Sequence, residues 1–372
     1  MRTGNSTDSH RIVRSFTAPS AAAGPSFGDT PPHVRPIEVI DADGYDPELA
    51  YLMAIVSAWA YADERALAAK LPHDGLGGAH VLRVSVQNDA LLVVATAYLV
   101  LSTTGRVGIL AFRGTDPASF VTMLADGEVM QRPLLGSGVH AGFFANVEAV
   151  WDDVSAALGA AREGLVLKED GTRERLPERL ERLYVTGHSL GGAMAVLATA
   201  RLFGRGYEGW EAQHLIKGVY TFGQPMVGDK AFAEVCELSF GPRLFRHVFR
   251  SDLVPHLPPR STIPYAHTGR EWRSESVVSR WEGGFEASRR ASLPAAVFDV
   301  LLNAVELRLI PKAHLVGYSI DDHMPASYVD VSRFSVDPRS VAVAPSSRWR
   351  IPALSEIPGK VGREVSTLLG GK

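Results

Sequence analysis

Cysteine is almost absent: the 372 residues contain one, Cys236. A single thiol closes no intrachain disulfide and builds no cysteine-rich zinc site, which removes the disulfide-framework class. Positive charge is not in excess either. Lys and Arg number 38 against 41 Asp and Glu, a net charge of −3. With no basic surplus to release counterions from a phosphate backbone, no nucleic-acid partner is expected. There is no run of about 18 apolar residues, so no transmembrane helix is expected. Residues 1–36 are rich in Ser, Ala, Gly and Pro and contain no continuous apolar stretch that could serve as a signal-peptide core. The expectation is a cytoplasmic protein, with peripheral association with a membrane left open. There is no H-E-x-x-H and no G-x-x-x-x-G-K-[ST], and Gly75-Leu76-Gly77-Gly78 does not extend to a dinucleotide fingerprint. Neither a metal nor a cofactor is called for.

What is present is core-forming material. Hydrophobic residues make up 46% of the chain, which excludes wholesale disorder. Leu49, Leu52, Met53, Val56, Trp59 and Ala60 recur at helical steps, and so do Phe143, Val147, Val150, Trp151, Val154 and Leu158. Between them, residues 81–86, 91–101 and 107–112 read as strands. Further on, strands at 182–186, 215–222 and 243–250 alternate with helices at 190–203 and 229–240. That rhythm implies an α/β architecture, a mostly parallel central sheet with helices on both faces. The expected organisation is a disordered segment at 1–36, one domain at 37–335 and an irregular tail at 336–372, punctuated by Pro338, Pro345, Pro352 and Pro358. An insertion at about 270–313 breaks the rhythm. Within it Leu293, Val297, Val300, Leu301, Ala304 and Val305 form one helical stripe, suited to packing on the domain, capping a site or meeting a lipid or protein partner. The oligomeric state is not specified.

Gly187-His188-Ser189-Leu190-Gly191 is a G-x-S-x-G match, which by composition arises by chance about 0.2 times in such a chain. Its setting is more specific than the match itself. It follows a strand and opens a helix, the arrangement of a nucleophile elbow, where the residues two before and two after the serine must be small for the chain to cross itself. The helix N-terminus favours developing negative charge beside Ser189 and Leu190.

Other blocks surround the elbow between about Tyr51 and Val329. In order they are Phe112-Arg113-Gly114-Thr115, His140-Ala141-Gly142-Phe143, Phe222-Gly223-Gln224-Pro225, Asp252-Leu253-Val254-Pro255-His256-Leu257-Pro258 and Asp322-His323. With these blocks the sequence resembles the class 3 (fungal-type) triacylglycerol lipases of the α/β-hydrolase fold. The resemblance implies a serine esterase acting on acylglycerols or phospholipids. It also implies a mobile lid after the oxyanion residue, where residues 117–125 carry Phe120, Val121 and Leu124. Met226 departs from the family, which often has a basic residue there.

A serine nucleophile needs a base, and the base an orienting acid. In this fold they follow the serine in the order acid, histidine. Asp252 stands 63 residues beyond Ser189 at the end of a strand and matches the family's aspartate; the alternative is a loop residue capping the next turn. His256, His267, His314 and His323 follow it. His256 reads as shaping the proline-bounded loop, and His314 has no recognisable setting. His323 matches the family's late histidine, with His267 second. For the oxyanion hole the donors are the Leu190 N–H and, from the loop after an earlier strand, Thr115, whose hydroxyl the resemblance adds; the alternative is a strand-ending turn at Gly114-Thr115-Asp116-Pro117. His188 reads as a spacer in the elbow. The same residues would also serve a phospholipase A-type hydrolase or an acyltransferase. A non-catalytic lipid- or partner-binding protein on this scaffold is the rival from another class.

Overall fold

The computed structural model describes residues 10–19, 32–62, 64–88, 93–115, 120, 131–204, 212–258, 264–286, 319 and 321–339. They lie in a unit spanning Met1–Val341; Ala342–Lys372 lies outside the described residues.

One sheet of nine strands organises the unit, and its spatial order follows the chain: β1 (His10–Thr17), β2 (His80–Asn88), β3 (Val93–Leu101), β4 (Val107–Phe112), β5 (Arg182–His188), β6 (Ile216–Phe222), β7 (Leu244–Phe249), β8 (Arg270–Ser274) and β9 (Glu282–Glu286). β1 to β4 form an antiparallel meander, β4 to β8 run parallel, and β9 returns antiparallel. Every residue of β4, β5 and β7 is buried. Strands covered on both faces need no polar alternation, which is why these segments read as short apolar runs.

Among the described residues, six helices accompany the sheet: α1 (Pro47–Trp59), α2 (Glu64–Lys70), α3 (Ala141–Arg162), α4 (Leu190–Phe203), α5 (Lys230–Phe240) and α6 (Pro325–Val336). The start of α1 is written locally. Asp46 accepts the Glu48 and Leu49 N–H groups and Pro47 opens the first turn, an N-cap joined to a preset φ. Asp229 caps α5 in the same way through the Phe232 N–H. Alternate strand residues face opposite layers. Leu183 and Val185 join α3 and α4 in an aliphatic core, whereas Thr186 donates to the Met53 and Tyr220 carbonyls beneath α1. α6 packs on α1 and completes that second layer. Cys236 is buried on α5, where burial pushes its thiol up and keeps it protonated. No helix among the described residues is long and apolar enough to cross a membrane.

Two boundaries differ from the sequence reading. Residues 1–36 were expected to be disordered, yet His10–Thr17 is edge strand β1, paired rung by rung with β2. Its own apolar content is slight. Val13 leans on the core, while Arg11 and Arg14 pair with Asp153 and Glu64. The partner's backbone supplies what composition does not. The insertion expected at about 270–313 begins in the sheet itself, since Arg270–Ser274 and Glu282–Glu286 are β8 and β9. The charges of β8 hid it: Glu271 is buried against Arg246 of β7. The apolar stripe Leu293 to Val305 lies outside the described residues, as do residues 117–119 and 121–125 of the expected lid.

Candidate active site

The elbow is built at the junction of β5 and α4. Ser189 has φ 59° and ψ −129°, a left-handed φ that costs a non-glycine residue of order 1–3 kcal/mol and persists only where its surroundings hold it. The turn is this tight because its neighbours are glycines. A Cβ on Gly187 would lie 2.1 Å from the Gly191 carbonyl oxygen, and one on Gly191 would lie 2.2 Å from that of Phe112. The strain is held by the sheet, through the Ser189 N–H donating to the Phe222 carbonyl at 2.9 Å.

That bond points to the next element. Gly223 follows Phe222 with φ +58°, and a Cβ there would meet His323 Cε1 at 2.7 Å and Asp252 Oδ2 at 2.8 Å. The absence of a side chain at 223 therefore lets the His323–Asp252 pair stand against the elbow strand. His323 Nδ1 donates to Asp252 Oδ2 at 2.7 Å, with both residues fully buried. Asp252 has no idle oxygen: Oδ1 accepts the Val254 N–H at 2.8 Å, and Oδ2 also accepts the Tyr328 hydroxyl. Burial, and then the Asp252 charge, push the Tyr328 hydroxyl well above its ordinary range, so it remains a donor. Two polar atoms at the centre have no hydrogen-bond partner among the described residues, Ser189 Oγ and His323 Nε2.

The pair is held by a strap between two loops. Asp252 forms a single bridge with Ser319, with the Ser319 N–H donating to the Ser251 carbonyl at 2.8 Å and the Leu253 N–H to the Ser319 carbonyl at 3.3 Å. Ser319 Oγ accepts the Asp322 N–H at 3.2 Å, and Asp322 Oδ2 accepts the Ser251 N–H at 3.3 Å. The short helical turn Asp321–His323 is thus tied to the end of β7 on both sides.

Leu190 opens α4, where the first N–H groups lack intrahelical acceptors. Thr115 is half-buried just past β4. The end of β4 reaches the elbow directly, since a Cβ on Gly114 would lie 2.5 Å from the His188 carbonyl oxygen and 2.1 Å from the Tyr61 hydroxyl. His267 is engaged elsewhere, its Nε2 donating to the Pro255 carbonyl at 2.7 Å, and burial holds its pKa well below the usual range. His314 lies outside the described residues. Phe120, from the expected lid, is buried and stacks on Phe143 with centroids 6.0 Å apart.

Sequence reasoning missed three contributors. His188 is more than a spacer: its ring bonds Tyr61 on one side and the His323 carbonyl on the other. Tyr61 and Tyr328 carry no local signal, because each is tied to its partner across more than 70 residues of chain.

Residues 109–262 match the family described as Lipase (class 3). This stretch is similar to the class 3 lipases. Among its relatives, the lipase of Rhizopus niveus is 34% identical over 185 residues, 49% of this chain and 42% of that protein. The Rhizomucor miehei lipase is 35% identical over 164 residues, 44% of this chain and 40% of that protein. The chain thus spans about two fifths of the length of these curated relatives. Among solved structures, lipase II from Rhizopus niveus superposes with a TM-score of 0.53 at 25% identity, covering 78% of this chain and 96% of that one. The matched stretch stops short of His323 and Tyr328, so the fold beyond it brings these two residues to Asp252.

Proposed function

We propose that this chain hydrolyses carboxylic esters of lipids, such as acylglycerols, through an acyl-enzyme formed on Ser189. One observation carries the reading: the buried acid–base pair is saturated with hydrogen bonds except at His323 Nε2, and the strained serine is saturated except at Oγ. Buried polar atoms without partners are costly. Here the two open atoms are a nucleophile and a base.

In this mechanism His323 Nε2 takes the proton of Ser189 Oγ as the oxygen attacks the ester carbonyl. Asp252 holds the imidazole in the Nδ1-protonated tautomer and stabilises the imidazolium. The Leu190 N–H and Thr115 receive the oxyanion at a helix N-terminus. The imidazolium then protonates the departing alkoxide, leaving the acyl group on Ser189; water, activated by the same nitrogen, releases the acid and restores the serine. The lipase relatives support a lipid acyl ester as the substrate class.

An ester panel of rising acyl length, run with a fluorophosphonate probe, tests the reading. Wild type is expected to be labelled at Ser189, and Ser189→Ala to turn over at least about 10⁴-fold more slowly. Retained turnover in that variant, or an unlabelled wild type, would falsify it. Product analysis with an added alcohol separates hydrolysis from acyl transfer on the same residues.

A further inference from the structure

We propose that Tyr61 and His188 are positioning residues, a hydrogen-bonded strut that fixes the backbone of His323 against the elbow and so sets where its imidazole stands. The rate effect rests on the ester-hydrolase reading; the protonation pattern of the strut does not.

The chemistry of the partners fixes the direction of each bond. His188 Nε2 lies 2.8 Å from the His323 carbonyl oxygen. A carbonyl has no proton to give, so Nε2 carries one and donates. The opposite nitrogen, Nδ1, lies 2.8 Å from the Tyr61 hydroxyl. In a neutral ring it is bare and must accept, so Tyr61 donates. Neutrality follows from the setting: the ring is buried, and burial with the nearby His323 keeps its pKa well below 6.5. The two bonds therefore run one way, from Tyr61 through the His188 ring to His323.

The strut joins three distant pieces of chain: the turn after α1, the last residue of β5 and the base loop. It touches the reacting region at each end. Tyr61 lies against Gly114, next to the proposed oxyanion residue Thr115. The His188 and His323 rings stand 4.5 Å apart, and Tyr328, which donates to Asp252, closes edge-on at 5.6 Å. Without the Tyr61 hydroxyl, nothing in this bond chain holds Nδ1 bare. The ring can then move its proton to Nδ1, which turns an Nε2 lone pair onto the His323 carbonyl and converts an attraction into a repulsion. The loop carrying the base would shift, and small misplacements at reacting groups carry large rate penalties.

Three measurements test the strut. In the wild type, long-range ¹H–¹⁵N spectra of histidine-labelled protein should show His188 protonated on Nε2 alone between pH 5 and 8. The signal is assigned by its loss in His188→Gln. Tyr61→Phe should lower kcat on a soluble short-chain ester about 10-fold with KM nearly unchanged. His188→Gln, which keeps a donor toward the His323 carbonyl, should retain more activity than His188→Leu. A merely structural role would lower the melting temperature and leave kcat intact. A His188 protonated on Nδ1, or wild-type kcat in folded Tyr61→Phe, overturns the strut. If the wild type lacks ester turnover, the proposed function fails instead, and the tautomer still decides the strut. It decides equally if Tyr61→Phe does not fold.

Discussion

The two layers flanking the parallel strands are made of different materials. On the α3 and α4 side the contacts are mainly apolar and carry few hydrogen bonds, with Leu158, Val154, Val185, Ala193 and Val196 packed beside Phe143 and Trp151 in one continuous core. On the α1 and α6 side they are aromatic and polar. Phe222 stacks on His247 at 4.6 Å, His247 meets Trp281 edge-on at 4.8 Å, and Tyr45 lies on Trp272 at 3.5 Å. His247 Nδ1 donates to the Thr221 carbonyl, while Nε2 accepts from the Tyr45 hydroxyl. Aliphatic packing is non-directional and scales with area. Hydrogen-bonded rings have direction, and in this layer the bonds from Tyr328 and His188 end on Asp252 and His323. One layer supplies stability in bulk, and the other supplies orientation.

The sharpest way to break that division is a cavity on the aliphatic side. Leu158→Ala removes a fully buried side chain and is expected to cost about 2–5 kcal/mol in denaturant unfolding while leaving kcat unchanged in the folded protein. A matching loss of kcat would mean the layers are not separable. A smaller effect of the opposite kind is expected from Tyr328→Phe, which deletes one donor to Asp252. Turnover should fall about 10-fold, equivalent to about 1.4 kcal/mol, with less effect on unfolding than Leu158→Ala.

The third comparison concerns pH. Burial holds His247 neutral, with its pKa lowered from 6.5 to about 3. Below pH 6.5 the unfolded chain binds a proton that the folded ring refuses. The stability is therefore fully present above pH 6.5 and is lost as pH falls toward 3, at up to about 1.4 kcal/mol per pH unit for this ring. His188 and His267 shift in the same direction. In urea titrations across pH, His247→Gln should flatten the acid slope by about that amount per unit. Leu158→Ala should lower the whole curve with its slope unchanged.

The legible parts of the molecule were those whose cause is local. β4 to β7 are short apolar runs because both their faces are covered, and the elbow is marked by glycines that sterics requires. β1 and β8 were illegible for the converse reason: one is held by its neighbour's backbone, and the other hides its charge in the Arg246–Glu271 pair. His188 was in plain view yet read as a spacer, since its value depends on Tyr61 and on the His323 carbonyl, 127 and 135 residues away. Contacts of that range leave no pattern in sequence.

The single bridge between Asp252 and Ser319 has an evolutionary side. It closes just upstream of the base loop, so the chain between β9 and Ser319 enters a clamp before it reaches His323. A change of length upstream therefore meets this clamp before it meets the imidazole. In evolutionary terms such a joint separates selection on the intervening segment from selection on the placement of His323.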